Sequence, residues 1–116
     1  STVFKEFKES IEFCNRFFNE HSNLALWGAG AKGANFARMM DPECKKIPCI
    51  VDINPKKQGH YIAGSAHPIV SPEELMKGED VEGIIIMNEN YSREIKSAVE
   101  SWKGDYFILD KCLMKI

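Results

Sequence analysis

The segment Leu24-Ala-Leu-Trp-Gly-Ala-Gly-Ala-Lys-Gly33 decides the fold. Its first four residues, Leu24–Trp27, are an apolar run typical of a short buried strand. The glycines that follow, Gly28, Gly30 and Gly33, match the pattern G-x-G-x-x-G, and a helix-forming stretch comes directly after them. A strand that passes through such a turn into a helix is the opening unit of many parallel α/β sheets.

Strands and helices alternate along the rest of the chain. The predicted strands after the first are Ile47–Val51, His67–Val70, Gly83–Met87 and Tyr106–Leu109. The predicted helices are residues 3–20, Ala31–Met40, a segment that begins at Ser71-Pro72, and Tyr91–Trp102. This alternation indicates a three-layer α/β domain of the Rossmann type, with about five parallel strands in the order 3-2-1-4-5. No linker or repeat interrupts the pattern, so residues 1–116 are predicted to form one domain.

Composition excludes several classes of protein. The chain has 116 residues, of which 44% are apolar and 28% charged, as in globular domains. Its net charge of −2 gives no basic excess for binding nucleic acid, and no apolar run reaches the ~20 residues that span a bilayer. The cysteines form no C-x-x-C pair, which favours reduced thiols in a cytoplasmic protein over a disulfide or metal framework. They are Cys14, Cys44, Cys49 and Cys112.

The predicted N-terminal helix is amphipathic and rich in aromatic residues. Its apolar stripe recurs at spacings of three and four residues and consists of Phe4, Phe7, Ile11, Cys14 and Phe18. Phe13 and Phe17 widen this stripe beyond one face. Two interpretations are open: the helix covers the sheet of its own domain, or the extra aromatic residues dock on a neighbouring domain or a second copy of the chain.

The glycine turn has the spacing of a phosphate-binding turn. In that interpretation Gly28 permits the tight turn, Gly30 lets a pyrophosphate approach the backbone, and Gly33 lets the helix pack close to the strand. Backbone N–H groups at the helix start would face the anion, and Asp52, 19 residues beyond Gly33, would accept hydrogen bonds from a ribose. Lys32 lies in the first turn of the predicted helix, where its positive charge interacts unfavourably with the helix dipole. A bound phosphate would make the interaction of this charge favourable. A turn without a ligand and a solvated lysine are the alternative.

Two further segments are predicted to follow strands at the same edge of the sheet. Ile53–Ala66 has neither helical nor strand periodicity, and loops of this length are usually functional or disordered. Its polar and aromatic residues could meet a phosphate, a base or a sugar, or could simply be solvated: Asn54, Lys56, Lys57, Gln58, His60 and Tyr61. Asn88 follows the fourth strand, where it could contact a sugar hydroxyl or bond its own backbone in a turn.

The sequence contains no recognisable catalytic set. None of His21, His60 and His67 has a partner in a known motif, and neither G-x-S-x-G nor H-E-x-x-H occurs. We therefore expect no catalytic residue and no metal ligand in this domain alone.

Several motifs together resemble the C-terminal domain of the sugar C-methyltransferases over about residues 24–110. They are Trp27–Gly33, Val51–Gly59 with its Asp-x-Asn-Pro-x-Lys-Gln-Gly pattern, Pro68-Ile69 and Ser71–Leu75, with Asn90 and Glu94-Ile95 echoing a further Asn-x-x-x-Glu-Ile motif. The chain departs from the family where it has Ala63-Gly64, Met87-Asn88 and Asp110-Lys111-Cys112.

The resemblance implies a role in carbohydrate biosynthesis. Such enzymes methylate nucleotide-linked deoxysugars with S-adenosylmethionine (SAM), and the domain that precedes this one carries both the cofactor and the catalytic residues. The resemblance therefore implies that this domain is part of a longer chain, and it leaves the exact substrate open.

Three functional hypotheses follow from these observations. The first is a domain that binds a nucleotide or nucleotide-sugar, or only supports a neighbouring catalytic domain. The second is an NAD-binding module of an oxidoreductase or sugar-modifying enzyme, which the glycine pattern supports equally. The third is a protein interaction module that uses the aromatic helix.

Overall fold

A computed structural model describes residues 1–78 and 80–109, and it contains one five-stranded sheet with helices on both faces. All strand pairs are parallel and the order is β3-β2-β1-β4-β5, which confirms the predicted fold class and strand order. The strands are β1 (Leu24–Trp27), β2 (Ile50–Val51), β3 (Ile69–Val70), β4 (Gly83–Ile86) and β5 (Asp105–Ile108). The helices are α1 (Thr2–Glu20), α2 (Ala31–Met40), α3 (Pro72–Lys77) and α4 (Ser92–Ala98), with a 3₁₀ turn at Glu89–Tyr91. Asp110-Lys111-Cys112 lies outside the described residues.

Side chains of the sheet alternate between two cores. Leu26, Ile50 and Ile85 lie with α1 and α2 in one hydrophobic cluster, whereas Ala25 and Ile84 lie with α3 and α4 in the other. All four residues of β4 are buried, as expected for a central strand that is covered on both faces. This arrangement places the start of α2 and the start of α4 on opposite sides of the sheet at its carboxyl edge.

Only the second half of α1 packs on the sheet. Cys14 and Phe18 are buried, and Phe17 makes an edge-to-face contact with Phe107 of β5. By contrast, Val3 is 73% exposed and Phe4 is 66% exposed. The first interpretation of the aromatic stripe therefore accounts for the second half of the helix and leaves its first turns uncovered by the described chain.

Strands β2 and β3 are shorter than predicted because the residues before them join a buried polar network. His67 is fully buried, and its Nε2 lies 2.8 Å from Asp41 Oδ2 while its Nδ1 lies 2.6 Å from Ser65 Oγ. The Asp41 carboxylate also accepts hydrogen bonds from the backbone N–H groups of Lys45 and Ile47, each at 2.8 Å. The network thus joins the end of α2 to the starts of both strands.

The hydrogen bonds in this network determine how Asp41 titrates. Burial alone would raise the pKa of Asp41, but the hydrogen bonds from the Ile47 N–H, from His67 and from the Lys45 N–H outweigh it and hold the pKa below its usual value. Asp41 is therefore a carboxylate at neutral pH.

None of the described helices is long and apolar enough to cross a membrane.

A candidate ligand cleft at the carboxyl edge of the sheet

A cleft of about 560 Å³ opens where β1 and β4 separate at the carboxyl edge. This is the point at which the strand order reverses, and it is where open α/β sheets bind ligands. One wall is the glycine turn with the first turn of α2, and the other is the face of α4 that carries Glu94, Ile95 and Ala98, together with Tyr91 just before the helix. Its full lining is Trp27, Gly28, Gly30, Ala31, Lys32, Gly33, Ile53, Ile86, Met87, Asn88, Tyr91, Glu94, Ile95 and Ala98.

The three glycines of the turn have different structural roles. Gly28 has a φ of +104°, a left-handed conformation that side chains disfavour. Gly33 is buried, and a Cβ at this position would collide with the Gly28 carbonyl oxygen. Gly30 is exposed at the N-cap of α2, and a Cβ there would meet no atom within 4 Å. The first and third glycines are therefore needed by the fold, whereas nothing in the described chain requires the second.

Asp52 supports the glycine turn from the side of β2. One carboxylate oxygen accepts a hydrogen bond from the Ala29 N–H at 2.8 Å, and the other accepts one from the Asn54 N–H at 2.8 Å. The Lys57 ammonium reaches the Ala29 carbonyl oxygen at 3.5 Å, and the Gln58 amide donates to the Asp52 carbonyl oxygen at 2.8 Å. The loop after β2 therefore holds the turn in place through both the backbone and the side chain of Asp52.

On the opposite side, Lys32 connects the two halves of the cleft. Its ammonium donates to the carbonyl oxygen of Met87, at the end of β4, at 3.3 Å. Asn88 lines the cleft next to it, and its side-chain oxygen accepts a hydrogen bond from the Asn90 N–H at 3.0 Å. The local turn bond considered for Asn88 is thus present, and its side-chain amide nitrogen remains a possible donor to a ligand.

The structure brings together only part of the predicted site. Gly28, Gly30, Lys32, Gly33 and Asn88 all line the cleft. The remaining candidates lie in the segment after β2 and do not line it: Asp52, Asn54, Lys56, Lys57, Gln58, His60 and Tyr61.

Most of the loop after β2 is a series of turns against the edge of the sheet. Tyr61 is 68% exposed and forms an isolated antiparallel bridge with Pro68. The Asn54 side chain accepts from the Lys56 N–H, and the His60 N–H donates to the Lys57 carbonyl oxygen. These contacts explain how a loop without periodicity is ordered: local turn bonds and a short bridge replace a regular element.

The helix α4 forms a wall that was not predicted as part of the site, although Glu94-Ile95 belongs to one of the motifs that resemble the family. Tyr91, Glu94, Ile95 and Ala98 line the cleft, and they recur at the spacing that places residues on one face of a helix. That spacing was visible in the sequence. It predicts the helix over Tyr91–Trp102, but which face of that helix borders the cleft depends on how α4 packs in the fold.

A second group of potential ligand atoms lies at the opposite edge of the sheet. Asp41, Cys44 and His67 each place one such atom within 4.8 Å of the other two. However, Asp41 already accepts hydrogen bonds from two backbone N–H groups and contacts His67, which also contacts Ser65. Burial raises the pKa of the Cys44 thiol, and the Asp41 charge raises it further, so a thiolate is disfavoured. This cluster is accounted for as a structural network.

No curated protein matches the chain. The family model for the C-methyltransferase C-terminal domain matches residues 2–109, which include every helix and strand of the structure and the whole of the cleft. The chain therefore belongs to the family of C-methyltransferase C-terminal domains.

Proposed function

We propose that this domain binds the nucleoside diphosphate part of a nucleotide-sugar in the cleft and presents it to a separate catalytic domain. The observation that carries the proposal is the cleft itself, because it combines an uncovered glycine turn, a lysine and an apolar floor at the switch point of the sheet. In this proposal the domain supplies binding and orientation, and no residue of it takes part in the methyl transfer.

The phosphates are proposed to lie at the start of α2. The N–H groups of Gly28 and Ala29 donate to the Val51 carbonyl and to Asp52, so they are already used. The N–H groups of the first helical turn have no partner within their own helix, and the residues that carry them, Ala31, Lys32 and Gly33, line the cleft, where the helix dipole favours an anion. Lys32 adds a positive charge on the same wall.

The family implies SAM as the methyl donor of the parent enzyme. The residues of this domain do not fit SAM or NAD well. Both carry an adenosine ribose, which a carboxylate at the end of β2 commonly binds. Here each oxygen of Asp52 already accepts a backbone hydrogen bond, and Asp52 does not line the cleft. This arrangement weighs against the NAD-binding alternative and against a SAM site in this cleft.

A second proposed role is contact with a neighbouring domain through the first turns of α1. The observation in its favour is the exposure of Val3 and Phe4, two large apolar side chains on adjacent positions. A neighbouring catalytic domain is the partner that the family suggests. The two roles are compatible.

An NMR titration tests the proposed ligand. Labelled protein would be titrated in parallel with dTDP, a dTDP-sugar, NAD and SAM. We expect shifts at Gly28–Gly33 and along Asn88–Ala98 with the dTDP compounds alone. Shifts with NAD alone would support the oxidoreductase module instead, and the absence of shifts with both dTDP compounds would contradict the proposal.

Substitution of Gly30 by valine should abolish binding while the domain stays folded. The new side chain would project into open space over the turn, where the phosphate is proposed to lie, and would meet no protein atom within 4 Å at its Cβ. We expect the affinity for dTDP to fall by at least about tenfold, equivalent to 1.4 kcal/mol. Calorimetric titration measures the affinity, and thermal unfolding provides the control. Wild-type affinity in a folded Gly30→Val variant would place the phosphate elsewhere.

A further inference from the structure

We infer that Glu94, and not Asp52, is the carboxylate that accepts hydrogen bonds from the uncharged end of the ligand, namely from a ring that carries N–H or O–H donors. The inference rests on the proposed function, because it assumes that the phosphates lie at the glycine turn. It assigns the ligand an orientation: the anion against α2 and the donor-bearing ring against α4.

The position of Glu94 supports this assignment. It lies on α4, in the wall opposite the glycine turn, between Tyr91 and Ala98 on the face that lines the cleft. Glu94 is exposed to the cleft, and its carboxylate forms no hydrogen bond or salt bridge with any residue in 1–78 or 80–109. Its capacity as an acceptor is therefore available to a ligand, unlike that of Asp52.

The surroundings of Glu94 define what the ring must be. The cleft next to it is lined by Trp27, Ile95 and Ala98, which offer apolar contacts for the face of a ring. A carboxylate at the rim of such a surface has only acceptor atoms, so it requires donors on the edge of that ring. A nucleobase with an N–H group and a sugar with hydroxyl groups both satisfy this requirement.

The charges of the two walls oppose each other. Lys32 stands on the wall of the glycine turn and attracts a phosphate, whereas the Glu94 carboxylate repels one. A dianion alone gains no contact from Glu94, and the repulsion by the carboxylate weakens its binding. A ligand that combines an anion with a neutral donor-bearing ring gains at both walls in this orientation, whereas the reverse orientation would bring its anion to the Glu94 carboxylate.

The test compares Glu94→Gln with the wild type on inorganic pyrophosphate, dTDP and dTDP-glucose, by calorimetric titration. Glutamine keeps the shape of the side chain and removes its charge and one acceptor. We expect pyrophosphate to bind as well as before or more tightly, and dTDP-glucose to bind about tenfold more weakly, as for loss of a hydrogen bond to a charged group. Glu100→Gln is the matched control, because Glu100 is exposed just after the same helix and does not line the cleft.

The three probes separate the possible outcomes. If the loss in Glu94→Gln already appears with dTDP, the donor belongs to the nucleoside; if it appears only with dTDP-glucose, the donor belongs to the hexose. Both results support the role of Glu94. Wild-type affinity of Glu94→Gln for both dTDP compounds would overturn it while leaving the proposed function intact. If the wild type binds neither dTDP nor dTDP-glucose, the proposed function fails and this inference with it.

Discussion

Gly33→Ala is expected to destabilise the domain by about 3 kcal/mol, the upper end of the usual range for overpacking. The added Cβ would collide with the Gly28 carbonyl oxygen and lie 3.1 Å from the Gly28 carbonyl carbon. Both are backbone atoms, so no side-chain rotation can relieve the contact. Gly28 itself is held by a 2.7 Å hydrogen bond from its N–H to the Val51 carbonyl oxygen. Relief would therefore require α2 to move away from β1.

Thermal unfolding measures this effect directly. For a domain of about 100 residues, 3 kcal/mol corresponds to a fall in Tm of roughly 12 to 24 °C. Gly30→Ala is the matched control, because its Cβ would meet no atom within 4 Å and its φ of −74° is allowed for alanine. A fall in Tm of similar size in both variants would show that the cost comes from the helix terminus and not from the close approach at Gly33.

Asp41→Ala is expected to have an effect of at least the same size, about 3–5 kcal/mol, because it removes one partner of a buried polar pair. Its loss would leave the N–H groups of Lys45 and Ile47 and the Nε2 of the fully buried His67 without their acceptor. Urea unfolding would give the free energy directly. Glu43→Ala is a suitable control, because Glu43 lies in the same loop and forms a salt bridge with Lys45 between exposed side chains. An equal loss in both variants would contradict the role of the network.

The lowered pKa of Asp41 also predicts how stability depends on pH. A carboxyl group whose pKa is lower in the folded state stabilises the fold above its unfolded pKa of about 3.9, and this contribution is lost as pH falls through the folded value. The Asp41→Asn variant has no carboxylate at this position, so its stability contains no contribution from the titration of residue 41. We therefore expect the difference in unfolding free energy between wild type and Asp41→Asn to be largest near neutral pH and to narrow below about pH 4. A difference in unfolding free energy that stays constant down to pH 2 would contradict the stabilising role of the Asp41 charge.

The fold could be predicted from the sequence because its signals are local. The apolar run Leu24–Trp27 and the glycine turn define the first βα unit, and right-handed crossovers then leave few possible strand orders. The bounds of β1 and α2 were correct for this reason. The bounds of the helix predicted over Tyr91–Trp102 were wrong: a 3₁₀ turn precedes α4, which ends at Ala98. Capping by Asn88 and the later turn at Val99–Trp102 leave no trace in the apolar periodicity, so the sequence did not reveal these bounds.

The candidate site was less predictable because it depends on contacts between distant residues. Asp52 was expected to face a ribose, but its carboxylate supports a turn 23 residues earlier in the chain. His67 has no partner within a sequence motif, yet it pairs with Asp41, 26 residues away. In both cases a polar side chain forms a hydrogen bond with a residue that is distant in the sequence. Hydrogen-bond partners at such separations leave no periodic pattern in a single sequence.

The bond between the Ala29 N–H and Asp52 has a consequence for the cost of binding. A loop that is disordered before binding must lose conformational entropy when it closes on a ligand, and this loss reduces the affinity. Here the turn is already anchored at Ala29 by a carboxylate and, through the Ala29 carbonyl oxygen, by the Lys57 ammonium. The glycine turn is thus preorganised, and a ligand that reaches it gains the full free energy of its contacts without first having to order the loop.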